Sequence, residues 1–288
     1  MPACFCHNAQ PADTPQANQT LARGAFAGSK MRFGGIGMNW LQLIERRHSV
    51  RRYLPDLDAA TVNQVRFICR ETETLNSSFL ELRLVGGEEI HRHLGLGGIG
   101  RVTAPWYIAA IARDDRDSLL NLGYSLERVV LRLTGLGLGT CWLGVFDKKA
   151  VDAQLELKGA ERTRILLAVG RAAAAATRMG RRIMPKRLAV FAPHSHRDSL
   201  PWLTVLEAVR WAPSAINRQP WRLWFTAEGV HLYSVSRPVG KAYTPIEMGI
   251  ALCHVQAACQ QLNLAGQIKE TPHPKRKGWE YWASFVRT

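Results

Sequence analysis

Residues 121–138 read NLGYSLERVVLRLTGLGL, and residues 247–264 read EMGIALCHVQAACQQLNL. Laid over one another at a fixed offset, Gly123 falls on Gly249, Leu126 on Leu252, Val129 on Val255 and Leu138 on Leu264. Both stretches are apolar at helical spacing and predict long helices over 118–136 and 246–264. Upstream, Val62, Val65 and Ile68 align in the same order over Leu203, Leu206 and Val209. The ordered similarity predicts two copies of one unit. A single chain would then make for itself the interface that a symmetric dimer makes between copies.

Outward from these helices the pattern alternates. NWLQLIERR (39–47) has helical spacing, and Pro55 with Asp58 opens a second helix over 58–72. FLELRLV (79–85) alternates like a half-buried strand, and a short helix with Ile90 and Leu94 runs into a Gly-rich turn at 95–100. WYIAAIA (106–112) reads as a central strand; a strand at 140–145, a helix at 147–156 and a strand at 164–170 complete half one, about 38–170. Residues 171–197 form a connector with seven basic residues and no acidic one. Half two, about 198–288, holds a helix at 201–211, a hairpin of 221–226 and 230–235 turning at Glu228-Gly229, and a last strand at 279–287. Residues 1–37 read as a disordered extension.

The chain has 288 residues, 47% hydrophobic and 21% charged, which excludes a mainly disordered protein. Lys and Arg number 38 against 23 Asp and Glu, a net charge of +15. Such a field draws polyanions or phosphorylated small molecules. A nucleic-acid binder would need aromatics interleaved with the basic clusters; the connector offers only Phe191, so no nucleic-acid partner is expected. Six cysteines, at 4, 6, 69, 141, 253 and 259, show no metal-ligand spacing and no disulfide framework. No secretory signal is visible, and no run reaches the roughly 18 apolar residues of a membrane span. A cytoplasmic protein without a membrane partner is the expectation.

Three stretches carry chemistry. Arg46-Arg47-His48-Ser49-Val50-Arg51 clusters guanidinium groups and a hydroxyl, donors suited to phosphate oxygens. Ala212-Pro213-Ser214-Ala215-Ile216-Asn217-Arg218-Gln219-Pro220-Trp221 is a polar loop stiffened by two prolines, able to read the edge of a planar heterocycle. Gly135-Leu136-Gly137-Leu138-Gly139-Thr140-Cys141-Trp142-Leu143-Gly144 lets backbone approach a flat ligand. Its glycines close a helix before a strand, so the dinucleotide fingerprint fails on context. Cys141 reads as a buried small residue rather than a nucleophile.

Together the three stretches resemble the FMN-dependent nitroreductase family, in its branch of tandem-duplicated, single-chain pseudo-dimers. The resemblance covers about 38–288 and implies an α+β, nitroreductase-like fold: antiparallel-rich central sheets flanked by helices, with two halves mimicking the family's homodimer. The motifs are split. In ordinary members the APS loop follows the first helix pair; here that place, Glu71 to Phe79, is degenerate, and the intact loop lies in half two. The resemblance implies one FMN per chain. Arg47, His48, Ser49 and Arg51 would meet its phosphate and ribityl region, and Arg181 or Arg182 would reach the phosphate. Pro213, Ser214, Ala215, Asn217 and Gln219 would come from half two. Cys141, Trp142, Leu143 and Gly144 would lie along the isoalloxazine, mostly by backbone. The implied activity is ping-pong hydride transfer from NAD(P)H through FMN to a small acceptor such as a nitroaromatic or quinone. FMN itself would carry the chemistry, so no side chain is named catalytic. The alternative is a flavin-binding carrier or sensor without turnover. The internal pseudo-dimer implies a monomer.

Overall fold

A computed structural model describes residues 31–33, 36–94, 102–173, 185–193, 200–235 and 240–288. Two short strands, β1 (Met31–Phe33) and β2 (Ile36–Met38), pair antiparallel within the stretch read as an extension. Helix α1 (Trp40–Arg46) follows, capped by Asn39, whose side chain accepts from the Gln42 N–H at 3.1 Å. Helix α2 (Ala59–Arg70) starts at Asp58, as the sequence predicts; Asp58 accepts from the Thr61 N–H at 2.8 Å and from its hydroxyl at 2.7 Å. Then come β3 (Leu80–Gly86), α3 (Gly87–His91), β4 (Trp106–Ala112), α4 (Arg116–Gly135), β5 (Gly139–Leu143), α5 (Lys148–Gln154) and β6 (Arg162–Gly170). A short helix α6 (Leu188–Phe191) lies in the connector. Half two contributes α7 (Leu200–Arg210), β7 (Trp221–Phe225), β8 (Gly229–Val235), α8 (Thr244–Gln261), β9 (Gly266–Lys269) and β10 (Trp279–Arg287). The expected Gly-rich turn at 95–100 lies outside the described residues.

The two halves share one topology. Half one pairs its strands in the order β3-β4-β6-β5 and half two in the order β7-β8-β10-β9, every pairing antiparallel. In each half, a helix precedes the first strand, the long helix sits between the second and third strands, and the fourth strand in sequence lies inside the sheet. The expected hairpin at Glu228-Gly229 is present as β7–β8.

The core is common to both halves. Helices α4 and α8 are buried around most of their circumference, which suits helices enclosed between two layers rather than laid on a surface. They pack on each other at two glycines. A Cβ on Gly123 would lie 2.0 Å from the Ile246 carbonyl oxygen, and one on Gly249 would lie 2.1 Å from that of Leu120. Leu120 and Ile246 are themselves equivalent at the same offset, so the two contacts are related as by a two-fold rotation. A second cluster, including Ile90, Tyr107, Phe146, Val151 and Leu166, fills the outer face of the first sheet under α3 and α5. Residues 270–278 cover the outer face of the second sheet: His273 stacks on Tyr281 at 3.6 Å, and the Arg276 guanidinium lies 3.5 Å from the Trp224 ring centre. No helix among the described residues is long and apolar enough to cross a membrane.

Candidate functional site

The first stretch begins where α1 ends. Arg47 is the C-cap, its N–H donating to the Leu43 carbonyl at 2.9 Å, and the chain then turns extended. Ser49 forms a parallel bridge with Thr140, and the Val50 N–H donates to the Thr140 carbonyl at 2.9 Å. A Cβ on Gly139 would fall 2.6 Å from a Val50 methyl, so the glycine permits this approach. The RRHSVR and GTCWLG stretches therefore run side by side. His48 places Nδ1 3.1 Å from the Arg46 carbonyl, and Arg51 is exposed.

Arg47 is buried, with Nε 4.0 Å from Glu127 Oε1 and no hydrogen-bond partner for Nε among the described residues. Burial lowers its pKa, and the Glu127 carboxylate opposes that shift. Burial pushes the Cys141 thiol up, with Arg51 and Arg47 pulling the other way. A protonated, enclosed thiol is a poor nucleophile, in line with the expectation for Cys141. The Trp142 Nε1 is likewise buried without a partner among the described residues.

The APS loop links α7 to β7. Ser214 Oγ accepts from the Gln219 N–H at 2.9 Å, closing a short 3-10 turn at Ala215–Asn217. Ile216, Asn217 and Gln219 adopt φ of 49°, 54° and 48°, a left-handed region that β-branched Ile216 enters only under strain. The loop is clamped from behind. The Ala215 N–H donates to Glu247 Oε1 at 3.0 Å, and the buried Arg218 guanidinium pairs with the other Glu247 oxygen and with Thr244 Oγ1. Burial raises the Glu247 pKa, and the Arg218 contact works against it.

Gln219 is placed differently from the expectation of a ligand-facing side chain. Its Nε2 donates to the Arg210 carbonyl at 2.8 Å, its Oε1 accepts from the Lys186 N–H at 2.9 Å, and it is 1% exposed. With both ends of its amide committed, it ties the loop to α7 and the connector. Pro213, Ser214, Ala215 and Asn217 remain half-buried at the loop surface. Arg181 and Arg182 lie outside the described residues.

Tyr243 joins the halves. Its hydroxyl donates to the Gly144 carbonyl at 2.9 Å, and a Cβ on Gly144 would lie 2.7 Å from that hydroxyl oxygen. Tyr243 ends a turn that begins at Gly240, which faces the Arg218 guanidinium. Contacts thus run from Gly144 through Tyr243 to Arg218, Glu247 and the loop. Arg218 lies in the loop motif, but Tyr243 and Glu247 belong to none of the three, and the sequence sign of Glu247 is that it stands in a helix with no other Asp, Glu, Lys or Arg. Among the described residues no group of three His, Cys, Asp or Glu could hold a metal ion.

A search of the curated proteins returns no match. A crystal structure from Thermotoga maritima, described as "a putative nitroreductase", is 21% identical; the alignment covers 91% of this chain and 99% of that one, with a TM-score of 0.60. Two shorter structures match less than half of this chain. An FMN-dependent nitroreductase from Clostridium difficile is 16% identical, over 45% of this chain and 86% of its own, at TM-score 0.40. A nitroreductase family protein from Streptococcus pneumoniae is 20% identical, over 46% and 90%, at 0.41. The family model described as "Putative TM nitroreductase" matches residues 39–259, from the start of α1 to the last turn of α8. Helix α4, all but the last two residues of α8 and all three motifs fall within that span, and on this match the chain belongs to the nitroreductase family of oxidoreductases.

Proposed function

We propose that this chain is an FMN-dependent oxidoreductase of nitroreductase type, with one FMN per chain and NAD(P)H as reductant. It takes its two substrates in turn, the second being a small organic acceptor such as a nitroaromatic or a quinone. One observation carries the reading: the Ser49–Thr140 bridge joins two of the three motifs, and the third reaches them through Arg218, which faces Gly240 in the turn whose Tyr243 hydroxyl donates to the Gly144 carbonyl.

The residues fit the cofactor. A flavin phosphate needs cationic donors, and the buried Arg47 Nε lacks a hydrogen-bond partner among the described residues. Gly139 and Gly144 lack the Cβ that would collide with Val50 and Tyr243, which brings the backbone of this stretch against the RRHSVR stretch and half two. When bound, FMN supplies the redox chemistry by accepting and releasing a hydride, and the protein supplies orientation and electrostatics. Arg47, Ser49 and Arg51 bind the phosphate and ribityl region, with His48 beside them. Pro213, Ser214, Ala215 and Asn217 form a wall from half two, held rigid by Arg218, Glu247 and Gln219. The backbone of Cys141 to Gly144 lines the ring. The same scheme makes the joined halves a functional monomer.

The test is the absorbance spectrum of the purified protein, with flavin quantified after heat release. We expect about one FMN per chain, lost in an Arg47→Ala/Ser214→Ala double variant that keeps its helical circular dichroism. Two FMN per chain would overturn the single-site scheme, and a protein that refuses added FMN would overturn the flavin reading altogether. Bound flavin that NADH or NADPH fails to bleach without oxygen would leave a flavin carrier in place of an enzyme.

A further inference from the structure

The phosphate motif of half one and the APS loop of half two are also connected through the protein interior. The Ala208 carbonyl, on α7 just ahead of the loop, lies 2.8 Å from Nδ1 of His254 on α8. The His254 Nε2 lies 3.0 Å from Glu127 Oε1 on α4, and the same oxygen lies 4.0 Å from Arg47 Nε. His254 and Glu127 are 0% exposed, and the Arg47 side chain is 7% exposed. A carbonyl only accepts, so Nδ1 donates to Ala208, and Nε2 faces the Glu127 carboxylate. With both ring nitrogens held, the imidazole cannot rotate, and it fixes which way Glu127 faces.

The arrangement differs from a closed structural ion pair. At 4.0 Å the Arg47–Glu127 contact is beyond hydrogen-bonding distance, and Arg47 Nε has no hydrogen-bond partner among the described residues. The carboxylate compensates the buried guanidinium charge without using up its donors. We infer that His254 is a positioning residue for the FMN phosphate, acting through Glu127 to hold Arg47 charged and aimed at the anion. The inference rests on the proposed role of Arg47 and extends it across the interface, so that the half-two core sets the affinity of a half-one motif.

The test compares flavins with and without the phosphate. Full-length protein, stripped of flavin, is titrated with FMN and with riboflavin by quenching of flavin fluorescence. His254→Leu is expected to weaken FMN binding about tenfold and riboflavin binding less than about twofold, since residues in one network couple by amounts of this order. His254→Gln, which keeps an N–H donor for Glu127, is expected to recover most of the loss. In an Arg47→Ala background, His254→Leu should cost no further FMN affinity. Should His254→Leu fail to fold, Glu127→Gln enters the same comparison and the same cycle. Equal losses for both flavins, or full additivity with Arg47→Ala, would reduce His254 to a packing role and overturn the inference. Wild-type protein that binds no FMN would instead overturn the cofactor reading, and the inference with it.

Discussion

At the scale of single residues, position in the fold decides what a motif residue is able to do. Gln219 reads in the sequence as an amide donor of the loop facing a ligand, yet its side chain is committed to Arg210 and Lys186. The difference depends on the connector and α7, which the loop's own sequence does not specify. Asp58 shows the opposite case. Its capping role is local and was legible from Pro55 and the helix pattern that follows. The Thr61 hydroxyl and N–H, with a smaller contribution from Arg171, hold its carboxyl at about 2, below its ordinary value. A depressed carboxyl pKa favours the folded state above the unfolded value and loses that contribution as pH falls through the folded one. Between about pH 4 and pH 2 wild-type stability should therefore drop more steeply than that of Asp58→Asn, which keeps the capping oxygen but carries no charge. Urea midpoints measured across that range check this, and parallel curves would count against it.

At the scale of elements, apolar periodicity located α4, α8, β4 and β10 to within two or three residues, because each is long and strongly patterned. The expected helix at 246–264 starts two residues earlier and ends at Gln261, and the expected strand at 140–145 stops at Leu143, leaving Val145 exposed. Strand β9, GQIK, has too little alternation to be read and owes its existence to pairing with β10. The crossing of α4 and α8 was legible only as two aligned glycines; that each lies against the other helix's carbonyl was not. Gly123→Ala and Gly249→Ala should each cost about 1–3 kcal/mol by forcing the backbones apart. The double variant should cost less than the sum, because once one contact is opened the other is already relieved. Denaturant titration of the three variants measures the coupling, and strict additivity would mean that the two contacts yield independently.

At the scale of the whole molecule, the similarity that the sequence shows faintly is matched by two sheets of the same strand order. The motifs do not follow that symmetry: one half carries the arginine cluster, the other the APS loop. The Glu127–His254 contact was out of reach of the sequence because its partners come from different halves and neither lies in a motif. Since one cluster of buried residues runs through both halves, unfolding should be a single transition. Tryptophan fluorescence and far-ultraviolet circular dichroism should give coincident curves; two separated midpoints would mean that the halves are autonomous. The mutual burial of α4 and α8 within one polypeptide has a further consequence. A site shared between two separate chains empties as the protein is diluted and its subunits part. Here the two contributors are tethered, each facing a fixed local concentration of the other, so the proposed site persists at any dilution.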